Sequence, residues 1–277
     1  MAASTSTTLD DLFANIIAQA RFTAEENSLM AGLVTQYNIG SEAGKTIQVP
    51  KYPAITAAAL TEGTDMTSTT VSTSSVSITI GEVGAQVVLT DVAAMGAGNP
   101  AVELGTVLGN AIATKMDTDL ISLFSGFSSG LGGAGVEITV ADIFKAAATL
   151  RNAKAQGDIF AVVHPFQAYQ LKANLTNTFA NPNGGDIQNV AMAQSYVGTI
   201  AGIDIYESTN MTVDGSDDAI GGVFSREALA LVMKRDFEIE TQRDASLRAF
   251  ELNATAVYGT GELDDSYGVS LTFDAAL

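Results

Sequence analysis

A serine with the spacing of a nucleophile lies near the middle of the chain. Gly126-Phe-Ser128-Ser-Gly130 matches the G-x-S-x-G pattern of serine hydrolases. That chemistry needs a strand before the serine, a helix after it and a histidine base within reach. Here a long predicted helix precedes the motif and a glycine-rich segment follows it. The single histidine, His164, is predicted between a buried strand and Pro165. We interpret the match as chance.

A glycine-rich motif overlaps the serine motif. Gly130-Leu-Gly132-Gly-Ala-Gly135 has the G-x-G-x-x-G spacing of dinucleotide-binding loops. In such a site a strand precedes the glycines and a helix follows them, so that the pyrophosphate meets the helix N-terminus. The predicted order here is a helix first and then residues 136–140. We therefore predict a flexible loop and no cofactor.

Three aspartates, Asp214, Asp217 and Asp218, have a spacing that could hold Ca²⁺ weakly. The spacing does not fit an EF-hand loop, and the distant bidentate glutamate is missing. We predict a solvated acidic turn. The sequence has no cysteine, which excludes thiol chemistry and cysteine-ligated zinc. We accordingly predict no catalytic, cofactor-binding or metal-binding residue, and a protein that is not an enzyme.

The composition favours assembly over nucleic-acid binding. The 277 residues include 31 acidic and 13 basic side chains, a net charge of −18, whereas a nucleic-acid surface needs clustered Lys and Arg. Only 16% of residues are charged, against about 25% in ordinary soluble domains. Such bland surfaces are typical of subunits that become covered. Neither a signal peptide nor a membrane-spanning stretch is evident, so we expect a soluble protein.

The first third of the chain predicts two helices and a long two-stranded excursion. Apolar spacing over residues 9–34 indicates the helices, the second with a capping box at Thr23 and Glu26. Strands are predicted at residues 46–49, 76–80 and 86–89, around a stretch rich in Ala, Thr, Ser and Gly. Because an isolated hairpin is marginal in water, the excursion should lie on another subunit.

Asn99 and Pro100 open the clearest predicted helix, since Asn caps a helix well and Pro suits its first position. Apolar residues then recur every four positions from Leu104 to Phe124, which predicts a helix about 35 Å long. Val107, Ala111 and Leu123 widen this apolar stripe. Asp117 and Asp119 are predicted to lie outside the stripe.

The second half predicts a mixture of helices and strands without a regular βαβ period, so the fold class is α+β. A helix is predicted from the Thr139–Asp142 pair, followed by a buried strand at residues 159–163 and a short helix after Pro165. A further helix is predicted over residues 186–196. Residues 247–258 and 267–273 are predicted to pair as closing antiparallel strands. The remaining predicted strands cover residues 200–206, 219–224, 230–234 and 237–241.

The order of these elements resembles the major capsid proteins of tailed bacteriophages, which have the Hong Kong 97-type (HK-97) fold. The resemblance extends over nearly the whole chain and is carried by the segments Thr46-Ile-Gln-Val-Pro-Lys-Tyr-Pro53, Leu60-Thr-Glu-Gly-Thr-Asp65 and Phe160-Ala-Val-Val-His-Pro165, with residues 76–84, 89–91, 99–124, 198–206, 238–244, 258–259 and 267–271. It implies five consecutive segments: an N-terminal arm (1–39), an extended E-loop with flanking peripheral-domain (P-domain) strands (40–92), a P-domain spine helix (93–135), an apical domain or A-domain (136–232) and returning P-domain strands (233–277).

The resemblance implies hexamers and pentamers of an icosahedral shell that encloses phage double-stranded DNA without binding it specifically. It also implies a virion location, synthesis in the bacterial host cytoplasm, no membrane contact, a portal and a cement or decoration protein. Because the E-loop begins by about residue 40, we expect a separate scaffolding protein. The loop's lysines, Lys45 and Lys51, lie near its base, so we predict no Lys–Asn cross-link between subunits.

Charge placement gives one hypothesis about an interface. Glu62 and Asp65 are the only charged residues at the E-loop tip. Basic residues are scarce in the chain, and four of them cluster in the strands predicted near its C-terminus: Lys234, Arg235, Arg243 and Arg248. We predict that the E-loop tip of one subunit contacts these residues in a neighbouring subunit.

Two other assignments stay open from the sequence. An encapsulin-type shell would have the same fold but enclose an enzyme cargo. An extracellular adhesin or surface-layer subunit is a second alternative, although no secretion signal is evident.

Overall fold

The segment whose apolar residues recur every four positions forms the longest described helix of the computed structural model, residues 100–122. The structure describes residues 28–40, 44–53, 55–63, 65–66, 68, 70–92, 100–178 and 196–276. Of the helical segments predicted over residues 9–34 and 186–196, the parts at residues 9–27 and 186–195 lie outside these residues. The described helices are α1 (Leu29–Leu33), α2 (Pro100–Ser122), α3 (Val140–Asn152) and α4 (Pro165–Thr178), with 3-10 turns at Leu123–Gly126 and Asp265–Tyr267.

Twelve strands are described, and they form three sheets. The strands are β1 (Thr35–Asn38), β2 (Thr46–Lys51), β3 (Ser74–Thr79), β4 (Gly81–Thr90), β5 (Gly130–Gly132), β6 (Ile159–Val163), β7 (Tyr196–Ile200), β8 (Ile203–Glu207), β9 (Asp218–Ser225), β10 (Leu229–Asp244), β11 (Ala249–Glu262) and β12 (Gly268–Asp274). Their orders are β1-β10-β11-β4, β5-β12-β9-β6-β8-β7 and β2-β3. The α+β prediction is confirmed, with helices packed against largely antiparallel sheets.

The six-stranded sheet separates two bodies of core, and helix α2 lies in the first of them. One side of its apolar stripe packs on the four-stranded sheet, and its C-terminal end reaches the six-stranded sheet through Phe124, whose ring lies 5.3 Å from that of Phe224. A second core fills the space between the six-stranded sheet and helices α3 and α4. Helix α3 begins as predicted, because Thr139 and Asp142 form a complete capping box. No helix among the described residues is long and apolar enough to cross a membrane.

The prediction that Asp117 lies outside the apolar stripe of α2 is wrong. Its side chain is 1% exposed, whereas Val107, predicted to widen the stripe, is 57% exposed. The Asp117 carboxylate accepts hydrogen bonds from the Leu29 and Met30 amides, each at 3.1 Å, and from the Ser28 hydroxyl at 3.2 Å. Asp117 therefore caps helix α1, and these donors offset part of the desolvation that raises its pKa.

The predicted pairing of the last two strands is also wrong. β11 pairs with β10 and β4, whereas β12 pairs with β9 and β5, so the two strands belong to different sheets. The strands predicted at residues 230–234 and 237–241 are one 16-residue strand, β10, with irregular register between Met233 and Glu238. Alternating hydrophobicity reports which face of a strand is buried but not which strand is its partner.

Candidate assembly surface

Most of the described residues in the hairpin formed by residues 46–79 are exposed. Its strands β2 and β3 pair from Thr46 opposite Thr79 to Lys51 opposite Ser74, which confirms the predicted two-stranded excursion. We call these strands the hairpin base and residues 52–73 the hairpin tip. The base packs on the four-stranded sheet through Ile78, which contacts a small core with Ala230 and Val232.

Two glycines of β11 allow the hairpin base to lie directly on the sheet. A Cβ atom at Gly259 would lie 2.6 Å from the Thr79 carbonyl oxygen, and one at Gly261 would lie 2.6 Å from Cγ1 of Ile78. Both distances are shorter than atoms tolerate, so the sheet can meet the hairpin only where side chains are missing. The position of the base is therefore fixed by backbone contact.

An ion pair also joins the base to the body. Lys51 Nζ lies 2.6 Å from Oδ2 of Asp264, and the aspartate side chain is only 17% exposed. Burial by itself would raise the pKa of Asp264, but hydrogen bonds from Lys51 and Ser266 outweigh it and lower that pKa below its ordinary value. The pair holds the end of β2 against the turn that follows β11.

The hairpin tip, in contrast, presents apolar side chains to solvent. The chain reverses at Glu62 and Gly63, where φ is +80°. Large apolar side chains of the tip are exposed: Tyr52 71%, Ile55 60%, Leu60 66%, Met66 74% and Val71 42%. A run of exposed apolar side chains on an extended segment marks a contact surface, because its exposure to water is unfavourable.

The predicted basic partners do not form one group in the folded chain. Lys234 and Arg235 lie at the irregular part of β10, whereas Arg243 and Arg248 flank the β10–β11 turn about 25 Å away along the strand. Arg235 already contacts Glu82 at 3.0 Å. Arg248 has φ of 51° within the turn.

Arg243 is the most strongly engaged of the four. It donates two hydrogen bonds to Asp91, at 2.6 and 2.7 Å, and its guanidinium lies 4.5 Å from the centre of the Phe250 ring. The hydrogen bond from Arg243 lowers the pKa of Asp91. Such a bidentate pair fixes the tip of the β10–β11 turn.

A cavity of about 460 Å³ opens between α1, α2 and β10, and we call it the helix–sheet cavity. Its floor is apolar and buried, formed by Ile112, Leu231 and Phe237. The exposed rim includes Gly32 and Asn38. Lys234 and Asp236 bring one positive and one negative charge to the same opening. Sequence patterns did not indicate this cavity, since its wall comes from four separate segments.

The serine motif lacks a nearby histidine in the fold. Ser128 contacts Asp265 through both its amide and its hydroxyl. His164 follows β6, and β6 is separated from β5 by two intervening strands, or about 14 Å. The Nδ1 atom of His164 accepts the Phe166 amide at 3.4 Å.

The glycine motif is not the loop that the sequence predicted. Its first three residues form β5, which pairs in parallel with β12. A Cβ atom at Gly132 would lie 2.1 Å from the Thr272 carbonyl oxygen, so this glycine permits close contact between strands. The loop prediction failed because the pairing partner lies about 140 residues away in sequence, as Leu271 opposite Leu131 shows.

The acidic turn is solvated only in part. Asp218 is 4% exposed and accepts the Gly135 amide at 2.9 Å, contrary to the prediction, while Asp214 accepts the Ser216 and Asp218 amides. The carboxylates therefore serve as acceptors for backbone donors. Within the described ranges, no group of three or more ligating side chains has the geometry of a metal site.

A family model and several solved structures match this chain. The family model described as "Phage capsid protein" matches residues 73–270. The sequence has no significant match among curated proteins.

Many solved structures share the fold. The capsid of cyanophage P-SCSP1u has a TM-score of 0.68 at 18% identity and covers 88% of this chain and 87% of its own, and the capsid of Ralstonia phage GP4 has a TM-score of 0.69 at 12% identity with 88% of each chain covered. A virus-like particle from Pyrococcus furiosus has a TM-score of 0.64 at 11% identity and covers 94% of this chain and 98% of its own. The predicted resemblance is thereby confirmed, and the chain belongs to the phage capsid protein family.

Proposed function

We propose that this protein is the major head subunit of a tailed phage and assembles into hexamers and pentamers of an icosahedral shell. The observation that carries the proposal is the hairpin, which is fixed at its base and exposes apolar side chains at its tip. Such a loop gains stability only when a second copy covers it. In this proposal α2 is the spine helix, the six-stranded sheet forms most of the apical domain, and no step of the function is catalytic.

The shell is proposed to enclose double-stranded DNA without gripping it. A net charge of −18 per subunit repels a polyanion, so packaged DNA would not adhere to the inner wall. A separate scaffolding protein, a portal and a cement or decoration protein are the proposed partners. The subunit would be made in the host cytoplasm and end in the virion.

Electron microscopy of the purified protein, alone and co-expressed with a candidate scaffolding protein, tests the proposal. We expect hollow round particles with six-fold and five-fold capsomers. A protein that stays monomeric under both conditions would contradict it. Denaturing gels of boiled particles should show single subunits, since Lys51 lies in the hairpin base, Lys45 directly precedes it and the tip has no lysine.

An encapsulin-type shell is the second candidate. It is supported by the likeness to the Pyrococcus furiosus virus-like particle, which spans nearly the full length of both chains. The content of particles purified from the native source separates the two candidates. Nuclease-protected genome-length DNA supports the phage head, whereas an enclosed protein cargo without DNA supports the encapsulin-type shell.

The proposed contact between subunits places Glu62 and Asp65 of one tip against basic residues of the next copy, chosen from Lys234, Arg235, Arg243 and Arg248. Arg235 and Arg243 also hold carboxylates of their own chain, those of Glu82 and Asp91. Glu62→Lys should lower the particle yield by about ten-fold, the equivalent of roughly 1.4 kcal/mol. Unchanged yield, measured by gradient sedimentation against a Thr61→Lys control, would contradict the contact.

A further inference from the structure

Another groove lies between the hairpin base and strand β1 of the four-stranded sheet, and we call it the tyrosine groove. Its volume is about 470 Å³. Three tyrosines from separate segments line it: Tyr37 in β1, Tyr52 just after β2 and Tyr267 in the 3-10 turn before β12. Half-buried apolar side chains complete the wall, namely Val49, Val76 and Leu263. A recess of this size with aromatic and apolar walls is suited to binding.

Hydrogen bonds between distant segments hold the walls of the tyrosine groove in place. The Leu263 and Asp264 amides donate to the Ala228 carbonyl oxygen at 2.7 and 3.2 Å. The Thr35 hydroxyl donates to the Arg226 carbonyl oxygen at 2.9 Å. The turn between β9 and β10 is therefore joined both to β1 and to the connection between β11 and β12. Because the groove is preformed, a ligand does not have to order it on binding.

The charged side chains of the tyrosine groove are mostly acidic. Glu227 and Asp264 line it together with one basic residue, Lys51, whose ammonium lies 2.6 Å from the Asp264 carboxylate. Glu227 is exposed, and no basic side chain of the described residues forms an ion pair with it. Its neighbour in sequence, Arg226, lies instead over the ring of Phe160, 5.7 Å from the ring centre. One carboxylate of the groove is therefore left without a cation.

More negative charge lies beside the groove, in the connection between β11 and β12. Glu262 is the last residue of β11, and burial together with repulsion from Asp265 and Asp264 raises its pKa. The repulsion from the two aspartates reflects a negative local potential. A cation that enters the groove would be attracted by this potential.

The position of the groove favours an extended ligand. β1 is the outermost strand of the four-stranded sheet among the described strands, and Thr35 and Tyr37 of β1 line the groove. An extended segment can therefore lie along β1, as peptides do at exposed sheet edges. The faces of tyrosine rings attract the ammonium group of lysine and the guanidinium group of arginine. The groove thus combines an edge for a peptide backbone with a site for a basic side chain.

We propose that the tyrosine groove binds an extended basic segment of a different protein, with a lysine or arginine side chain against the tyrosine rings and Glu227. A second copy of this chain is a poor source of that segment, because its basic residues are scattered and only Lys234 and Arg235 are adjacent. The groove belongs to a single subunit. Binding therefore does not require the shell of the proposed function and adds a separate interaction to it.

A fluorescent peptide tests the proposal, since the chain has no tryptophan of its own. The probe is a synthetic peptide of about ten residues in which arginine alternates with valine and one tryptophan serves as the reporter, titrated with the purified protein. A peptide with citrulline in place of arginine keeps the shape and loses the charge, so it should bind about ten-fold more weakly. Equal affinity for the two peptides, or no binding of the arginine peptide, would overturn the proposal.

Variants of the protein locate the site. Glu227→Gln and Tyr52→Ala should each weaken binding of the arginine peptide by about three-fold, the loss typical of an exposed ion pair or an exposed cation–π contact. The matched controls, Glu137→Gln and Tyr169→Ala, change the same residue types at exposed positions outside the groove and should bind like the parent. Equal losses in the variants and their controls would mean that the peptide is attracted by the acidic protein in general, and the proposal would then be wrong.

Photo-crosslinking gives an independent measurement of the position. The arginine peptide carrying a benzophenone group should attach to residues 49–52 or 263–267, as identified by mass spectrometry of the digested protein. Attachment only to other parts of the chain would contradict the proposed site. Tighter binding of a proline-rich peptide than of the arginine peptide would assign the groove to a different class of partner and overturn the proposal as well.

Discussion

The base of the hairpin is closely packed on its own chain, whereas the tip is exposed to solvent. At the base, Ile78 and Thr79 press against β11 so closely that only Gly259 and Gly261 fit beneath them. At the tip, Leu60 and Met66 lie mostly in solvent. Contacts within one chain fix the position of the base, but they leave the apolar side chains of the tip uncovered. A subunit that must hold a loop firmly while offering it to a neighbour needs both.

Enlarging a glycine under the base should have the largest effect on the folded subunit. Gly259→Val places a branched side chain against the Thr79 backbone, which cannot move away without lifting the hairpin. We expect the free energy of unfolding to fall by about 3 kcal/mol, measured by urea denaturation. Gly81→Val, in neighbouring β4 with open space around its Cβ, is the control and should change stability by less than about 0.5 kcal/mol.

Polar substitution at the tip should affect assembly and spare the subunit. The double variant Leu60→Ser with Met66→Ser removes apolar surface that a neighbouring copy covers in the proposed shell, so particle yield should fall at least ten-fold while the urea midpoint stays unchanged. Sedimentation and denaturation of the same preparation measure both quantities. A lowered urea midpoint would show that the tip packs on its own chain. The tip and the base would then both contribute to the stability of the single subunit.

Salt should shift assembly further than it shifts folding. Raising NaCl from 0.1 M to 1 M shortens the Debye length from about 10 Å to about 3 Å, which screens the repulsion between subunits of net charge −18. Particle yield should rise several-fold, as followed by light scattering. A fall in yield would instead show that ion pairs at the tip outweigh apolar contact.

Breaking the ion pair at the base should have the smallest effect. Lys51→Met removes the partner of Asp264 at a half-exposed site and should cost about 0.2–1 kcal/mol of unfolding free energy. Because the pKa of Asp264 is lowered in the folded chain, the pair stabilises the fold above about pH 4 and loses this contribution as pH falls further. The difference in stability between the variant and the parent should therefore shrink as the pH falls below about 4. A constant difference across that range would mean that lost packing explains the cost.

Features that depend on local chemistry could be predicted from the sequence alone. The capping pair Thr139 and Asp142 set the start of α3, the four-residue apolar spacing formed α2, and alternation marked the strands of the hairpin base. The absence of cysteine and the acidic charge were equally plain. Each of these elements depends on residues that are close together in the sequence. Their order along the chain could therefore be predicted, and that order carried the resemblance to the family.

Tertiary packing determines which distant segments meet. It buried Asp117 under α1, assigned β11 and β12 to different sheets, and turned the glycine motif into strand β5. It also separated the four basic residues that looked like one group and created the helix–sheet cavity from four segments. These outcomes depend on packing between residues far apart in the chain, and a side chain's spacing in sequence reports its face but not its partner.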